Sequence, residues 1–146
     1  MPHLQFDFNR KLSQEQKKNL SQLTVKSFSE IMDTGTYHIG ISIREFDEYN
    51  LFLGQVKNQS EGVVLINIDL RRGRTSSQRK TLSLSLMDII FKIINIPKEN
   101  MYVIFTEHNG EDFNLSNKQL DDWTNREKYS LWCLVKKTYT QFFGCR

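Results

Sequence analysis

The sequence predicts an α/β fold of the two-layer α+β type: a tandem β-α-β repeat that forms a four-stranded sheet with two helices on one face. Three observations predict this fold. Apolar residues alternate in some segments and follow helical spacing in others, two capping boxes mark helix starts, and the chain contains an internal duplication. The 146 residues suffice for one domain with a sizeable core, and we expect a single domain over 1–146.

The duplication appears when the sequence is shifted by 62 positions, which aligns residues 6–20 with residues 68–82. Both segments read apolar-Asp-apolar, have Arg in the fifth place, and continue with Ser or Thr followed three residues later by Gln. The same offset holds without a gap as far as Glu45 and Glu107. Two copies indicate a duplicated unit, because a solenoid needs at least three. We predict repeat units over 2–46 and 64–108.

In the first copy, residues 2–8 alternate and predict a strand that Pro2 begins, since proline is confined to strand starts and edges. A capping box that starts at Ser13 predicts a helix, which the Asp-Thr-Gly segment 33–35 ends. Isoleucines alternate with polar residues over 39–43 and predict a second strand.

The second copy repeats this order. The segment GVVLINIDL is nearly continuous in apolar residues, as expected for a strand covered on both faces. A capping box that starts at Thr75 predicts a helix to about Ile94, which Pro97 prevents from extending. MYVIFTE, residues 101–107, is the last predicted core strand. The two strands of each unit should be parallel with a right-handed crossover.

Two segments lie outside the repeat. YNLFLG, residues 49–54, has the composition of a short extra strand. The tail, 116–146, has no counterpart in the first half, and its apolar residues predict one or two amphipathic helices. A sheet with helices on one face should leave a second apolar face, which we expect other subunits or the tail to cover.

Composition excludes several classes of protein. A net charge of +3 is too small to indicate nucleic acid as a partner, and no apolar run approaches a membrane span. No basic segment followed by an apolar stretch suggests a secretory signal. Cys133 and Cys145 form no CxxC pair and the three histidines are scattered, so we expect no metal, cofactor or disulfide and a cytoplasmic protein with reduced thiols.

The candidate functional residues are a proline and three arginines. Removal of Met1 would give Pro2 a free secondary amine, and burial near cations would lower the pKa of that amine towards the range of a general base. Arg71, Arg72 and Arg74 directly precede the second helix, and a guanidinium can bind a carboxylate through two hydrogen bonds. Two ordinary interpretations stay open: Pro2 as a strand start, and the arginines as a solvated turn.

These features resemble the tautomerase superfamily, and most closely its branch that contains cis-3-chloroacrylic acid dehalogenase. The resemblance covers about residues 2–115 and depends on the Met-Pro start, TGTYHIGISI, NLFLGQV, LRRGRT and IPKENMYVIFTE in that order. It implies a homotrimer whose amino-terminal proline acts as general base or acid. The arginines that hold the substrate carboxylate in the dehalogenase branch match Arg71 and Arg74, and those of the decarboxylase branch match Arg72 and Arg74. His38 is a further candidate for substrate binding, although its alternation with apolar residues equally suits a structural role.

The positions that activate water in the dehalogenase branch are not matched, so the resemblance favours keto–enol chemistry. The predicted function is a tautomerase, an isomerase in which Pro2 acts on a small 2-oxo or unsaturated carboxylic acid held by Arg71 and Arg74. One alternative is a hydrolytic dehalogenase or decarboxylase of the same superfamily. The other is a non-catalytic ferredoxin-like module that binds RNA or a protein partner, although the RNP1 pattern of RNA-binding sheets is missing.

Overall fold

The computed structural model describes residues 2–124, whose two halves have the same order of elements. The first half contains β1 (His3–Phe8), α1 (Gln14–Met32) and β2 (Gly40–Glu45), and the second contains β3 (Val64–Arg71), α2 (Ser76–Ile94) and β4 (Met101–His108). A short hairpin of β5 (Asn114–Leu115) and β6 (Lys118–Gln119) follows. The predicted duplicated β-α-β fold is confirmed.

Within residues 2–124, four strands form one sheet in the order β2-β1-β3-β4. β1 is parallel to β2 and β3 is parallel to β4, as predicted, whereas β1 and β3 are antiparallel. Gln5 lies opposite Asn67 in the central pair, and these two residues are equivalent in the duplication. The two units are therefore related by a local two-fold axis that passes between Gln5 and Asn67.

The helices begin and end at equivalent residues of the two copies. Ser13 and Thr75 each accept a hydrogen bond from the backbone three residues on, and a glutamine side chain completes both capping boxes. At the other end, Asp33 and Asn95 adopt left-handed conformations with φ of 51° and 59°. Asp and Asn tolerate this conformation better than most residues, so each helix ends without a glycine at that position.

The core lies between the sheet and the two helices. Alternate residues of β1 and β3 face the helices because side chains along a strand point to opposite faces. The largest fully buried side chains are Phe6, Phe8, Phe28, Leu4, Leu20, Met32, Ile66, Ile68, Leu70, Leu82, Leu86 and Ile90. Burial of each such side chain contributes about 1.5–3 kcal/mol relative to exposure, so this layer supplies most of the driving force for folding.

The sheet face without helices, here called the open face, is mixed in polarity, and the prediction of an apolar second face is wrong. Its residues are His3, Gln5, Asp7, Ser42, Arg44, Leu65, Asn67, Asp69, Arg71, Tyr102, Ile104, Thr106 and His108. Arg44 donates to both carboxylate oxygens of Asp7 over 2.7 Å, and Asp7 is buried. Polar side chains persist on this face because they satisfy one another across the strands. Burial alternates along β3 from Val64 to Asp69, so the expectation that this strand is covered equally on both faces is also wrong.

The expected extra strand at residues 49–54 does not form. The Gln59 side chain donates to the carbonyls of Leu53 and Val56, each over 2.9 Å, and these bonds replace pairing with a neighbouring strand. Residues 116–124 contain β6 and a segment without regular secondary structure, and no helix. The part of the predicted helices that follows residue 124 lies outside the described residues. The domain boundaries also stay predictions. Among the helices of residues 2–124, none has the length and apolar character needed to span a membrane.

Candidate active site

The start of β1 and the end of β3 lie side by side. The backbone N–H of Gly40 donates to the carbonyl of Pro2 over 2.9 Å, and His3 lies opposite Asp69. Continuing this antiparallel register by one residue brings Pro2 level with Leu70, and Arg71 follows directly. Neighbouring strands are about 4.8 Å apart, so the buried Pro2 lies at the same end of the sheet as the arginine segment.

The three arginines differ in environment. Arg71 is the last residue of β3 and pairs with His108 of β4, whereas Arg74 directly precedes the residue that caps α2. Arg71 and Arg74 are each only 6% exposed, and Arg72 is exposed to solvent. A solvated turn therefore describes Arg72 but not the other two.

A segment after the β5–β6 hairpin, residues 120–123, lies over these arginines, and we call it the strap. The carbonyl of Asp121 accepts a hydrogen bond of 2.5 Å from Nη1 of Arg71. The guanidinium carbon of Arg74 lies 4.3 Å from the centre of the Trp123 ring, within the range of a cation–π interaction. The strap thus contacts both buried guanidinium groups.

Two glycines allow the strap to approach so closely. Gly73 has φ of 111°, and a Cβ there would overlap the carbonyl of Trp123, whose N–H donates to the carbonyl of Arg72 over 3.0 Å. A Cβ on Gly110 would overlap the backbone of Asp121. Both positions need glycine, because any larger residue would displace the strap.

Sequence reasoning did not identify the strap. No local pattern distinguishes Asp121 or Trp123 from the other residues of the tail, 116–146. Arg71 and Asp121 are 50 positions apart, so no local pattern joins them. The available signal was Gly73, since a glycine between two arginines indicates a close backbone approach.

A row of polar side chains on the open face runs beside the same sheet end. Asp69 contacts His108 Nε2 over 3.1 Å through one oxygen and His3 Nδ1 over 3.6 Å through the other. His3 Nε2 lies 2.9 Å from the hydroxyl of Ser42. Hydrogen bonds thus join His3 to Ser42 and His108 to Asp69. Among residues 2–124, no three His, Cys, Asp or Glu side chains are grouped so as to hold a metal ion.

His38 lies in the loop that leads into β2. Its Nε2 is 3.2 Å from the hydroxyl of Thr34, and its ring packs edge-on against Tyr37. The residue is two positions before Gly40, which binds the carbonyl of Pro2. His38 therefore approaches the Pro2 end of the sheet along the chain, and its role in substrate binding stays a prediction.

The local two-fold axis relates this end of the sheet to the other end, and that other end lacks the arginine pair. Asn9 and Leu12 occupy the positions equivalent to Arg71 and Arg74. Asn9 accepts from the backbone N–H of Val63 over 2.7 Å and donates to the carbonyl of Gln59 over 2.9 Å. One end of the duplicated fold is thus closed by structural hydrogen bonds, and only the end beside Pro2 has buried guanidinium groups at these positions.

The fold and this sheet end define a class of protein: small duplicated β-α-β proteins with a proline at the start of the first strand and arginines at the end of the third. The family model described as tautomerase enzyme matches residues 65–120. No curated protein matches the chain.

Solved structures share the fold. N1, a member of the cis-3-chloroacrylic acid dehalogenase family, is 21% identical with a TM-score of 0.76, over 92% of this chain and 96% of its own. Pt0534, inactivated by 2-oxo-3-pentynoate, is 15% identical with a TM-score of 0.71, over 88% and 98% of the two chains. A fused 4-OT asymmetric trimer, R7, is 18% identical with a TM-score of 0.70, over 89% and 98%. The chain is thus similar to the tautomerase family model over residues 65–120 and to these structures in fold, and the dehalogenase family is one neighbour among several.

Proposed function

We propose that this chain is a tautomerase in which Pro2 is the general base and Arg71 and Arg74 hold the carboxylate of a small 2-oxo or unsaturated acid. The observation that carries the proposal is the antiparallel register of β1 and β3, which brings Pro2 to the end of the sheet where the buried Arg71 ends β3 and the buried Arg74 follows it. The role requires removal of Met1, because an amide nitrogen has no useful basicity.

The proposed reaction moves one proton and changes no oxidation state. The neutral ring nitrogen of Pro2 removes a proton from the carbon beside the substrate carbonyl. The electron pair of that C–H bond forms a C=C bond, and the π pair of the carbonyl moves onto its oxygen to give an enolate. The protonated proline then returns the proton to the oxygen, or to a conjugated carbon, and the tautomer leaves. A base with a pKa near the working pH suits both steps.

The arginines supply the electrostatic part of the proposal. A planar guanidinium can bind a carboxylate through two parallel hydrogen bonds, which fixes the orientation of the substrate. Buried positive charge also stabilises the enolate oxygen that forms in the transition state more strongly than solvated charge would. The low exposure of Arg71 and Arg74 supports this role, whereas the exposed Arg72 is less suited to it.

The comparisons support the substrate class and an assembly. Pt0534 is inactivated by 2-oxo-3-pentynoate, an unsaturated 2-oxo acid, which favours an acid of that class here. The fused 4-OT protein R7, which has the same fold, is a trimer, and we propose a homotrimer for this chain. The exposed Tyr102 and Ile104 on the open face are suited to burial between subunits. A hydrolytic dehalogenase is the second candidate, because N1 of that family has the same fold.

The test is turnover of a panel of 2-oxo acids, 2-hydroxydienoates and 3-chloroacrylates by the wild type and by Pro2→Ala. We expect tautomerisation by the wild type and a loss of at least about 100-fold in kcat/KM for Pro2→Ala, in the range of general-base contributions. Circular dichroism should show that the variant is folded.

Pro97→Ala is the matched control, because it removes the other proline of the chain far from the site along the sequence. It should keep the wild-type rate. Mass spectrometry must show that Met1 is absent from the protein assayed. An undiminished rate for Pro2→Ala would exclude Pro2 as the base, and turnover of chloroacrylates alone would favour the dehalogenase.

A further inference from the structure

We propose that Trp123 is a positioning residue for Arg74 and that its ring makes the site selective for flat, conjugated 2-oxo acids. This inference rests on the proposed function, since it concerns the same site. It adds a residue that lies outside the proline and arginine pattern and comes from the strap.

The first support is the contact between the two side chains. The Arg74 guanidinium lies 4.3 Å from the centre of the Trp123 ring, and each residue is only 6% exposed. A cation–π contact strengthens when both groups are removed from water, and the planar guanidinium stacks well on an indole. Trp123 therefore restricts Arg74 to one orientation.

The second support is the fixed position of the strap. Its backbone is held at both ends, since Leu120 N–H donates to the carbonyl of Phe113 over 3.1 Å and Trp123 N–H donates to that of Arg72 over 3.0 Å. Gly110 N–H also donates to the Asp122 carboxylate over 2.7 Å. The indole ring is thus placed by backbone contacts that do not depend on Arg74.

The third support is an unused donor. Nε1 of Trp123 is buried and has no hydrogen-bond partner among the described residues. Buried polar groups are nearly always paired, and an unpaired one often marks a place where a ligand binds. A substrate carboxylate bound beside Arg74 would bring an acceptor to this part of the site while the strap keeps its position, and a flat substrate would gain contact with the indole face.

The kinetic test compares Trp123→Phe and Trp123→Leu on phenylpyruvate and on 2-oxobutyrate. Trp123→Leu should raise KM for phenylpyruvate about tenfold, because it removes the aromatic face that orients Arg74, while kcat changes much less. Trp123→Phe keeps an aromatic face and should restore most of the affinity. The loss should be smaller on 2-oxobutyrate, which has no conjugated ring.

Tyr49→Leu is the matched control, since Tyr49 is an exposed aromatic residue, 89% exposed, in the segment between the two copies. It should leave both constants unchanged. Equal losses for Trp123→Phe and Trp123→Leu, or equal effects on the two substrates, would overturn the inference while leaving Pro2 and the arginines in place.

A binding test separates this inference from the proposed function. Trp132→Phe leaves Trp123 as the one tryptophan of the chain, so its emission reports on the strap. Benzoylformate, a flat 2-oxo acid with no enolisable carbon, should change that emission saturably, and Arg74→Gln should abolish the change. Binding without turnover of any enolisable acid would contradict the tautomerase but support the role of Trp123. Turnover that benzoylformate inhibits without any change in emission would contradict Trp123 alone.

Discussion

Glu45 shows at the residue scale how the duplication preserved individual contacts. Its Oε1 accepts a hydrogen bond of 2.7 Å from the backbone N–H of Leu12 and lies 2.9 Å from Nζ of Lys17. The equivalent residues of the second copy, Glu107 and Arg79, form an ion pair over 2.6 Å. The same pair therefore joins the start of each helix to the end of the strand that follows it.

The Glu45 contacts predict a pH-dependent contribution to stability. Chiefly the hydrogen bond from Lys17, and then that from Leu12, lowers the pKa of the Glu45 carboxyl below its usual 4.5. A lowered folded-state pKa means that the stabilisation is fully present above the unfolded pKa and is lost as pH falls through the folded one. Glu45→Gln should therefore reduce the free energy of unfolding by about 1 kcal/mol at pH 7, and this difference should shrink as the pH falls below the usual carboxyl pKa of 4.5.

Urea denaturation of both proteins from pH 3 to pH 7 measures this difference. Glu48→Gln, which changes an exposed carboxylate three residues away, should show almost no effect at any pH. A difference between wild type and Glu45→Gln that is as large at pH 3 as at pH 7 would contradict an ionic origin.

At the scale of the secondary-structure elements, the capping residues link the two helices to each other. Gln16 completes the capping box of α1 and also donates to the carbonyl of Ile93 near the end of α2 over 3.3 Å. Its equivalent, Gln78, donates in the same way to Ile31 of α1 over 3.2 Å. Each cap thus stabilises the start of its own helix and attaches it to the end of the other.

The capping residues should contribute equally in the two copies. Ser13→Ala and Thr75→Ala each remove the side-chain acceptor of a helix start and should each lower the free energy of unfolding by about 1 kcal/mol. The double variant should lose the sum within about 0.5 kcal/mol, because the two caps share no contact. Chemical denaturation checks both values.

Gln22→Ala, at an exposed position inside α1, is the control and should not destabilise the protein. A loss confined to one of the two cap variants would show that the copies do not rely equally on their caps.

At the scale of the whole molecule, the open face is the surface suited to association between subunits. Tyr102 and Ile104 are exposed on β4, an edge strand of the sheet. An edge strand with exposed apolar side chains is prone to pairing with another chain, and association between subunits would cover both the edge and the face. The Asp7–Arg44 pair on the same face is already satisfied within the chain, so its burial would leave no unpaired charge.

The proposed trimer predicts a mass in solution three times that of one chain. Ile104→Arg places a charge on the open face and should shift the protein towards smaller species in analytical ultracentrifugation, because an unpaired buried charge is costly. Leu84→Arg, at an exposed position of α2, should leave the assembly unchanged. A wild type that sediments as a monomer would contradict the proposed assembly.

Local patterns of the sequence determined the elements of this protein. The capping boxes at Ser13 and Thr75 and the duplication predicted both helices, the four strands and the parallel pairing within each unit, because these depend on hydrogen bonds and periodicities that span a few residues. They also singled out Pro2, Arg71 and Arg74 as candidates. The prediction of a strand over 49–54 was wrong because the β-forming composition of that segment is a local feature, whereas the Gln59 side chain binds the carbonyl of Leu53 from outside the segment.

Only the tertiary structure decided what surrounds those candidates. It buried Arg71 and Arg74 while exposing Arg72, filled the open face with paired polar residues, and brought the strap across the arginines. The physical reason is distance along the chain. Arg71 and Asp121 meet because the sheet and the glycines at 73 and 110 bring their backbones together, and no neighbouring residues encode such a contact.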